Sequence, residues 1–237
     1  PGFTISTDVC AEYYSNNRKY PAGLAAEVEK NLQKLEKLMK KKLGDPADPL
    51  LVSVRSGGAV SMPGMMDTIL NIGLNNETAL GLVELTGDDR FVYDSFRRLI
   101  QMFGSVVTGI PDEVFEEKLH QCRSQAGVST DADLSARDLK GLADTFQRIF
   151  RRYTTTDFPR EPYEQLKMAI DAVFKSWNGK RAVDYRNAAA IPHDLGTAVN
   201  IVSMVFGNAG DASVTGVALT RNGTTGENRI EGDYLNN

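Results

Sequence analysis

The sequence predicts an α+β fold in which short strands precede and follow a long helical insertion. Residues 50–54 form a compact apolar run that is typical of a buried strand, and strand-like segments return from residue 197 onward. Between them, apolar residues recur at helical spacing over most of residues 94–186. The order of strands, helices and strands therefore indicates an α+β chain with a helical insertion.

Composition and charge limit the class of protein. The 237 residues are 41% hydrophobic and 24% charged, which is ordinary for a globular protein with a core. With 27 basic against 31 acidic side chains, the formal charge of −4 predicts no nucleic-acid or membrane partner, so a phosphate ligand would need a local cluster of donors. Cys10 and Cys122 lack metal-binding spacing and are typical of reduced thiols in a cytosolic protein.

The two ends of the chain lack the signals of a leader or an anchor. No apolar stretch approaches the roughly 18 residues of a membrane-spanning helix. The chain opens without Met or a basic segment and stops just after a strand-like alternation. We therefore expect both ends to lie within a larger fold.

The first elements follow from local signals. Residues 3–6 form a predicted strand, and Thr7 or Asp8 can cap a short helix. A second helix is predicted to open at Pro21 and to end at residues 44–46. Its apolar stripe consists of Leu24, Val28, Leu32, Leu35, Met39 and Leu43. Lysines 40–42 would then occupy its last turn as solvated cations, which we favour over a nucleic-acid contact.

Further helices are predicted through the middle of the chain. Their boundary signals are Gly104 as a stop, Pro111 as a first helical residue, Ser135 as a cap, Pro162 as a start and residues 178–179 as a stop. Their apolar stripes are centred on Phe96, Phe103, Phe115, Phe146, Leu166 and Val173. After a strand over residues 197–206, segments 215–221 and 229–235 flank a turn at 222–228, which predicts a β-hairpin.

Residues 55–68 are the most unusual segment. The guanidinium of Arg55, placed at a strand end before two glycines, suits phosphate because the glycines let backbone N–H groups approach closely. Met62, Met65 and Met66 could offer a polarisable surface for a purine ring. The alternative is a glycine-rich turn beside a methionine-rich core patch, and the P-loop pattern is missing.

A second segment, residues 204–216, places small polar residues between two strands. Thr215 and the N–H of Gly216 could donate to phosphates, but the segment also serves as an ordinary strand connection. His120 and His193 lack metal-ligand spacing and are interpreted as surface or packing residues. Ser61 has no GxSxG context, and no carboxylate pair stands out as a magnesium site.

These segments resemble the pyruvate phosphate dikinase family. Residues 52–57 are similar to its arginine strand, and residues 61–68, SMPGMMDT, are similar to its characteristic loop. The resemblance continues at YDSFRR (93–98), at GTAVN (196–200), at MVFGN (204–208) and at TGE (225–227), so it covers nearly the whole chain in order. The related phosphoenolpyruvate synthases share this arginine but have a different sequence after it, so we consider them the second most similar family.

The resemblance implies an ATP-grasp-like nucleotide-binding domain that is incomplete at both termini. It implies a first lobe formed by residues 1–74 with 160–201, a helical subdomain at 75–159, and the start of a second lobe at 202–237. It also implies that ATP and magnesium phosphorylate a histidine on another domain of the same protein, which then phosphorylates pyruvate. A homodimeric parent in the cytoplasm, or in a plastid if it is from a plant, is implied as well.

Carried over by position, the resemblance assigns ATP-binding roles. Arg55 would hold phosphate oxygens, and Thr215 and Gly216 would form a loop over the phosphates. The remaining ATP-binding residues are Gly64 and Met66 near the nucleotide, and Val202 and Met204 along the adenine edge. The lysine loop and the magnesium ligands of the family would lie outside this sequence, so no catalytic or metal residue is assigned and we expect the chain alone to be inactive.

The sequence also departs from the family pattern. Val202, Val214, Leu219 and Gly223 stand where the family usually has Gln, Gly, Phe and Pro. Val214 matters most, because a β-branched residue in a loop near phosphate cannot take a positive φ cheaply. It favours the alternative of a degenerate, non-catalytic nucleotide-binding or interaction module.

Overall fold

A computed structural model describes residues 1–210 and 212–236, which form two compact units, Pro1–Met204 and Val205–Asn237. The strands of the first unit are β1 (Gly2–Ile5), β2 (Lys42–Leu43), β3 (Pro49–Leu50), β4 (Val52–Gly57), β5 (Thr68–Ile72) and β6 (Ala198–Ser203). Its helices are α1 (Thr7–Ser15), α2 (Leu24–Met39), α3 (Asn76–Thr86), α4 (Asp89–Thr108), α5 (Asp112–Ala126), α6 (Ala136–Thr154), α7 (Pro162–Ser176) and α8 (Lys180–Ala189). The second unit contains β7 (Val214–Leu219) and β8 (Glu231–Asn236). The predicted mixed fold is confirmed, while the division into two lobes and a helical subdomain stays a prediction.

A four-stranded sheet organises the first unit. Its strand order is β1-β6-β4-β5, and each neighbouring pair is antiparallel. Alternate residues on one face, such as Val54, Val199 and Ile201, are fully buried and α7 packs near β4, β5 and β6. The opposite face stays partly open, as expected for a sheet that is covered on one side. This open face carries Arg55.

Aromatic packing holds the helices of the first unit together. Phe158 meets Phe103 and Phe150 edge-on, with ring centroids 5.3 and 5.5 Å apart, and Phe115 meets Phe146 at 4.9 Å. These edge-to-face arrangements are favourable geometries for buried rings. The predicted stripes of α4 to α7 are therefore confirmed as core, and Ser135 caps α6 through the N–H of Asp138.

The predicted bounds of the second helix are wrong. α2 begins at Leu24 and ends at Met39, because Lys40 takes a left-handed φ of 56° and its N–H bonds to Glu36. Leu43 lies in β2, which pairs with β3. Lysines 40–42 therefore follow the helix instead of forming its last turn.

Gly104 was predicted to end its helix, but it lies inside α4. A Cβ at this position would lie 2.7 Å from Cζ of Phe115, so the glycine lets α5 approach α4 closely. Gly109, with a φ of 73°, follows the last residue of α4. A long-range contact thus overrides the local stop signal.

Other boundaries differ in smaller ways. Ser6 is the N-cap residue of α1, so Thr7 is already helical, and Pro111 precedes the first residue of α5. β4 ends at Gly57, three residues beyond the predicted strand over residues 50–54. No element was predicted from the sequence at the positions of β5 and α3. The strand predicted over residues 197–206 extends three residues beyond the end of β6 at Ser203.

In the second unit, β7 and β8 form the predicted antiparallel hairpin, with Thr215 opposite Leu235 and Gly216 opposite Tyr234. The apolar side chains of the hairpin are exposed, including Val217 and Leu235.

In the described part of the chain, no helix has both the length and the apolar character needed to cross a bilayer.

Candidate nucleotide-binding site

A row of four polar side chains crosses the open face of the sheet. Thr4 of β1 lies opposite Asn200 of β6, Asn200 opposite Arg55 of β4, and Arg55 opposite Thr68 of β5. Directly paired residues in an antiparallel sheet project from the same face with Cβ atoms about 5 Å apart. The four side chains therefore form one polar row, which we call the Arg55 row.

Arg55 is the only formal charge in the Arg55 row and it is exposed. Its Nε donates to Oγ of Ser53 at 3.2 Å, which fixes the side chain along its strand. Within residues 1–210 and 212–236, no carboxylate lies within ion-pair distance, so both terminal nitrogens keep their donors. A guanidinium with two free nitrogens can bind a phosphate through two parallel hydrogen bonds.

The loop that follows β4 contains Gly64 and Met66. Gly64 has a φ of 72°, which a side chain would make costly, and the adjacent N–H of Met65 bonds to the carbonyl of Met62 at 3.2 Å. Met62 is buried and belongs to the core, whereas Met65 and Met66 are half-buried. Two methionines at most can therefore offer a surface to a ring.

The end of this loop is tied to α8. An ion pair joins Nη2 of Arg181 to Oδ1 of Asp67 at 2.8 Å, and Asp67 is the better buried partner. Burial raises the pKa of the Asp67 carboxyl, and Arg181 opposes that shift. The sequence reasoning missed this tether, because the partners are 114 positions apart.

Val202 and Met204 lie where the chain leaves the sheet. Val202 is exposed on the same face as Arg55, since it pairs with Ser53. The N–H of Met204 bonds to the carbonyl of Leu51 at 2.8 Å, which keeps Met204 beside the sheet. The structure thus brings Arg55 and Val202 onto one face, with the loop of Gly64 and Met66 leaving the same strand.

Thr215 and Gly216 belong to the second unit, where both lie on β7 and are exposed. They are strand residues, as the predicted hairpin segment 215–221 requires, whereas the resemblance implied a loop over the phosphates. Val214 also lies in β7, paired with Asn236, and it is not among the residues with a positive φ. Val214 therefore needs no positive φ, because an extended strand suits a β-branched residue; the effect of its side chain on phosphate binding stays a prediction.

No metal site is formed by the part of the chain that the structure describes: it holds no group of three or more His, Cys, Asp or Glu residues able to bind an ion. His193 is exposed, in line with the predicted surface or packing role, and its Nδ1 accepts a hydrogen bond from Nε of Arg186 at 3.1 Å. Cys10 and Cys122 are free, and burial raises the pKa of both thiols. The imidazole of His193 and the thiols of Cys10 and Cys122 are not the oxygen ligands that magnesium prefers.

The sequence reasoning did not assign a role to Thr4 or Asn200. Oγ1 of Thr4 donates to Oδ1 of Asn200 at 2.7 Å, between residues 196 positions apart. The only local signal is the alternation in residues 198–203, in which Asn200 stands at an outward position between buried Val199 and Ile201. Its neighbours in space could not be found without the strand register.

An open polar sheet face with an unpaired arginine, next to a glycine-containing loop, defines the class: a mixed α/β domain with a surface suited to phosphate. Comparison with known proteins identifies the family. The family described as pyruvate phosphate dikinase, AMP/ATP-binding domain, matches residues 18–233. The chain belongs to this family, whose fold is ATP-grasp-like.

Individual relatives agree with the family. Pyruvate, phosphate dikinase of Entamoeba histolytica is 50% identical over 238 aligned residues, which cover 100% of this chain and 27% of that protein. The chloroplastic pyruvate, phosphate dikinase of Flaveria trinervia is also 50% identical, over 100% of this chain and 25% of its own length. The same values hold for chloroplastic pyruvate, phosphate dikinase 1 of Oryza sativa subsp. japonica. The chain spans about a quarter of the length of these relatives.

Proposed function

We propose that this chain binds ATP as the nucleotide-binding part of a pyruvate, phosphate dikinase. The observation that carries the proposal is Arg55, which lies on an open sheet face and whose terminal nitrogens have no carboxylate partner among the described residues. It stands next to the loop over residues 58–67, which we call the Met-Pro-Gly loop. A buried or paired arginine would serve stability, but an exposed and unpaired one on an open sheet face is available to phosphate oxygens. The family match supports a nucleotide as the source of that phosphate.

The proposed roles of the other residues follow their places in the fold. Met66 and Gly64 lie near the nucleotide, Val202 and Met204 along the edge of the adenine, and Thr215 and Gly216 donate to the phosphates. Thr215 and Gly216 both lie on an exposed strand, where Thr215 offers a hydroxyl. A second ATP-grasp lobe, beginning at residue 202, is part of the proposal.

The whole reaction is proposed at the level of the parent protein. ATP, phosphate and pyruvate would give AMP, pyrophosphate and phosphoenolpyruvate through a phosphohistidine on another domain. Magnesium would enter with the nucleotide, and its protein ligands would lie outside the described residues. We place the parent in the cytoplasm or, as the names of the plant relatives indicate for those proteins, in the chloroplast, and we propose that it is a homodimer.

Calorimetric titration of ATP with magnesium into the purified chain tests the proposal, with an Arg55→Ala variant in parallel. We expect saturable binding that weakens about ten- to hundredfold in the variant, because hydrogen bonds to a charged group are lost. Circular dichroism should be the same for both proteins, since Arg55 is exposed.

Arg152→Ala is the matched control, because Arg152 is an exposed arginine on α6 with no assigned role. This variant should bind ATP as the unaltered chain does. Equal affinity in the Arg55→Ala variant would contradict the role of Arg55, and a folded chain that binds no ATP would contradict the proposal as a whole.

A further inference from the structure

We propose that Asn200 is a second phosphate ligand, which donates its side-chain amide beside Arg55. This inference rests on the proposed function and deepens it, because it assigns a contact that the family resemblance did not supply. Arg55 and Asn200 are directly paired positions on β4 and β6, so their side chains leave the same face of the sheet next to each other. An anion that reaches one side chain therefore lies within reach of the other.

The orientation of the Asn200 amide is set by Thr4. Because Oγ1 of Thr4 donates to Oδ1 at 2.7 Å, the acceptor end of the amide is occupied on the β1 side. The donor end then points towards β4, where Nδ2 approaches the carbonyl of Ser56 at 3.4 Å. The amide thus presents its NH₂ group, and not its oxygen, on the side of Arg55.

The amide nitrogen keeps an unused donor. An Asn NH₂ group carries two protons, and the long contact to the carbonyl of Ser56 uses one of them. Within the two described ranges, the second proton has no acceptor. Together with the terminal nitrogens of Arg55, this proton places several available donors side by side at the centre of the Arg55 row.

Gly57 provides the space for this amide. A Cβ at Gly57 would lie 2.6 Å from Nδ2 of Asn200, which is closer than real contacts allow. Gly57 is the last residue of β4, directly before the Met-Pro-Gly loop. The amide therefore lies between Arg55 and the start of that loop, and any larger residue at position 57 would displace it.

The chemistry of this pair suits one phosphate group. Arg55 supplies charge and two parallel donors, while Asn200 adds a neutral donor from the side, which restricts where the phosphate can lie. The group recognised is a phosphate with free oxygens. Its source is the polyphosphate of a nucleoside triphosphate or free inorganic phosphate.

The test is calorimetric titration of the complete 237-residue chain with ATP, with adenosine and with inorganic phosphate, each in a separate experiment. We expect Asn200→Ala to weaken ATP about three- to tenfold, the effect of one neutral hydrogen bond, and to leave adenosine unchanged. Asn200→Asp should weaken ATP further, because a carboxylate opposite Arg55 would pair with it and repel phosphate. Thr4→Val should give part of the loss seen with alanine.

The phosphate titration separates the two sources. Inorganic phosphate that binds the unaltered chain, and binds more weakly after Asn200→Ala, would support free phosphate as a ligand of the pair. Phosphate that does not bind, with the ATP loss intact, would support the polyphosphate. Asn76→Ala, at an exposed asparagine on α3, is the matched control and should change no affinity.

Three outcomes would overturn the inference, and they differ in what they leave standing. Unchanged ATP affinity in the Asn200 variants, together with a loss in Arg55→Ala, would remove Asn200 and keep the proposed function. Equal losses for ATP and adenosine would indicate a structural role for Asn200 instead. A folded, unaltered chain that binds neither ATP nor phosphate would remove both proposals.

Discussion

The two compact units of the chain differ in how their side chains are buried. Pro1–Met204 has a core of fully buried aromatic and aliphatic residues, whereas in Val205–Asn237 apolar side chains such as Val217 and Tyr234 are each 72% exposed. The proposed ligand residues fall on both sides of this division. Arg55 and Val202 extend from a sheet whose other face is packed, while Thr215 and Gly216 lie on an exposed hairpin. The comparison indicates that the packed face of the sheet holds the backbone of Arg55 and Val202 in place before any ligand binds.

The largest expected effect tests this difference directly. Phe103→Ala should lower the free energy of unfolding by about 3–5 kcal/mol, because it leaves a cavity at a fully buried position that contacts Phe158. Leu219→Ala, at a hairpin residue that is 52% exposed, should change it by less than about 0.5 kcal/mol. Urea unfolding followed by circular dichroism measures both.

A similar loss from both substitutions would contradict the comparison, because it would mean that the hairpin is as well packed as the helices. The slope of the unfolding curve provides the control. It should stay the same in both variants, which shows that stability changed and not the surface exposed on unfolding.

The elements that could be predicted from the sequence are those with local signals. The hairpin was predicted from its turn residues, and α6 from the Ser135 cap and its periodic apolar stripe. β5 could not be predicted in this way, because Asn71 within it takes a φ of 62° and bonds to the carbonyl of Ser95. The stop wrongly assigned to Gly104 has the same origin, since its neighbour Phe115 comes from another helix.

The residues of the candidate site also differ in whether local sequence features were enough to predict them. Arg55 was predicted from its residue type and its place before two glycines, which are local features. Asn200 and Thr4 were not, because their positions depend on the register of β1, β6 and β4, which come from distant parts of the chain. The strand position of Val214 was missed for a related reason: pairing with β8 decides its conformation.

A second prediction concerns the tether between Asp67 and Arg181, which holds the loop of the packed unit. Arg181→Ala should lower the free energy of unfolding by less than about 1 kcal/mol, because Arg181 is well exposed and solvent screens the pair. Amide hydrogen exchange in residues 58–67 should nevertheless become faster, since the end of the loop loses its partner. Exchange measured by mass spectrometry on the unaltered and variant chains compares the two.

Arg181→Lys is expected to restore part of the protection, because a lysine keeps the charge and loses the planar fork. Exchange in the hairpin turn at residues 222–228 should not respond to either substitution. If the turn and the loop both became faster, the effect would not be local and the tether would not explain it.

The smallest expected effect concerns Asp171 on α7, inside the packed unit. Burial raises the pKa of its carboxyl, and the nearby hydroxyl of Tyr20 opposes the shift together with Lys175 and Lys167. A raised pKa means that the folded state favours the protonated form, so the ionised carboxylate costs stability near neutral pH. Asp171→Asn should therefore increase the free energy of unfolding there, by less than about 1 kcal/mol because solvent reaches the group.

The pH dependence gives this prediction its sign. As the pH falls from neutral towards the ordinary value of 3.8, Asp171 takes up a proton in the folded chain first, the cost disappears, and the difference between Asp171→Asn and the unaltered chain should shrink. Asp233→Asn, on the exposed strand β8, is the matched control and should change the free energy of unfolding by less than about 0.5 kcal/mol throughout. A difference for Asp171→Asn that grew on acidification would mean that the ionised carboxylate stabilises the fold, and that its lysine neighbours outweigh burial even in the packed unit.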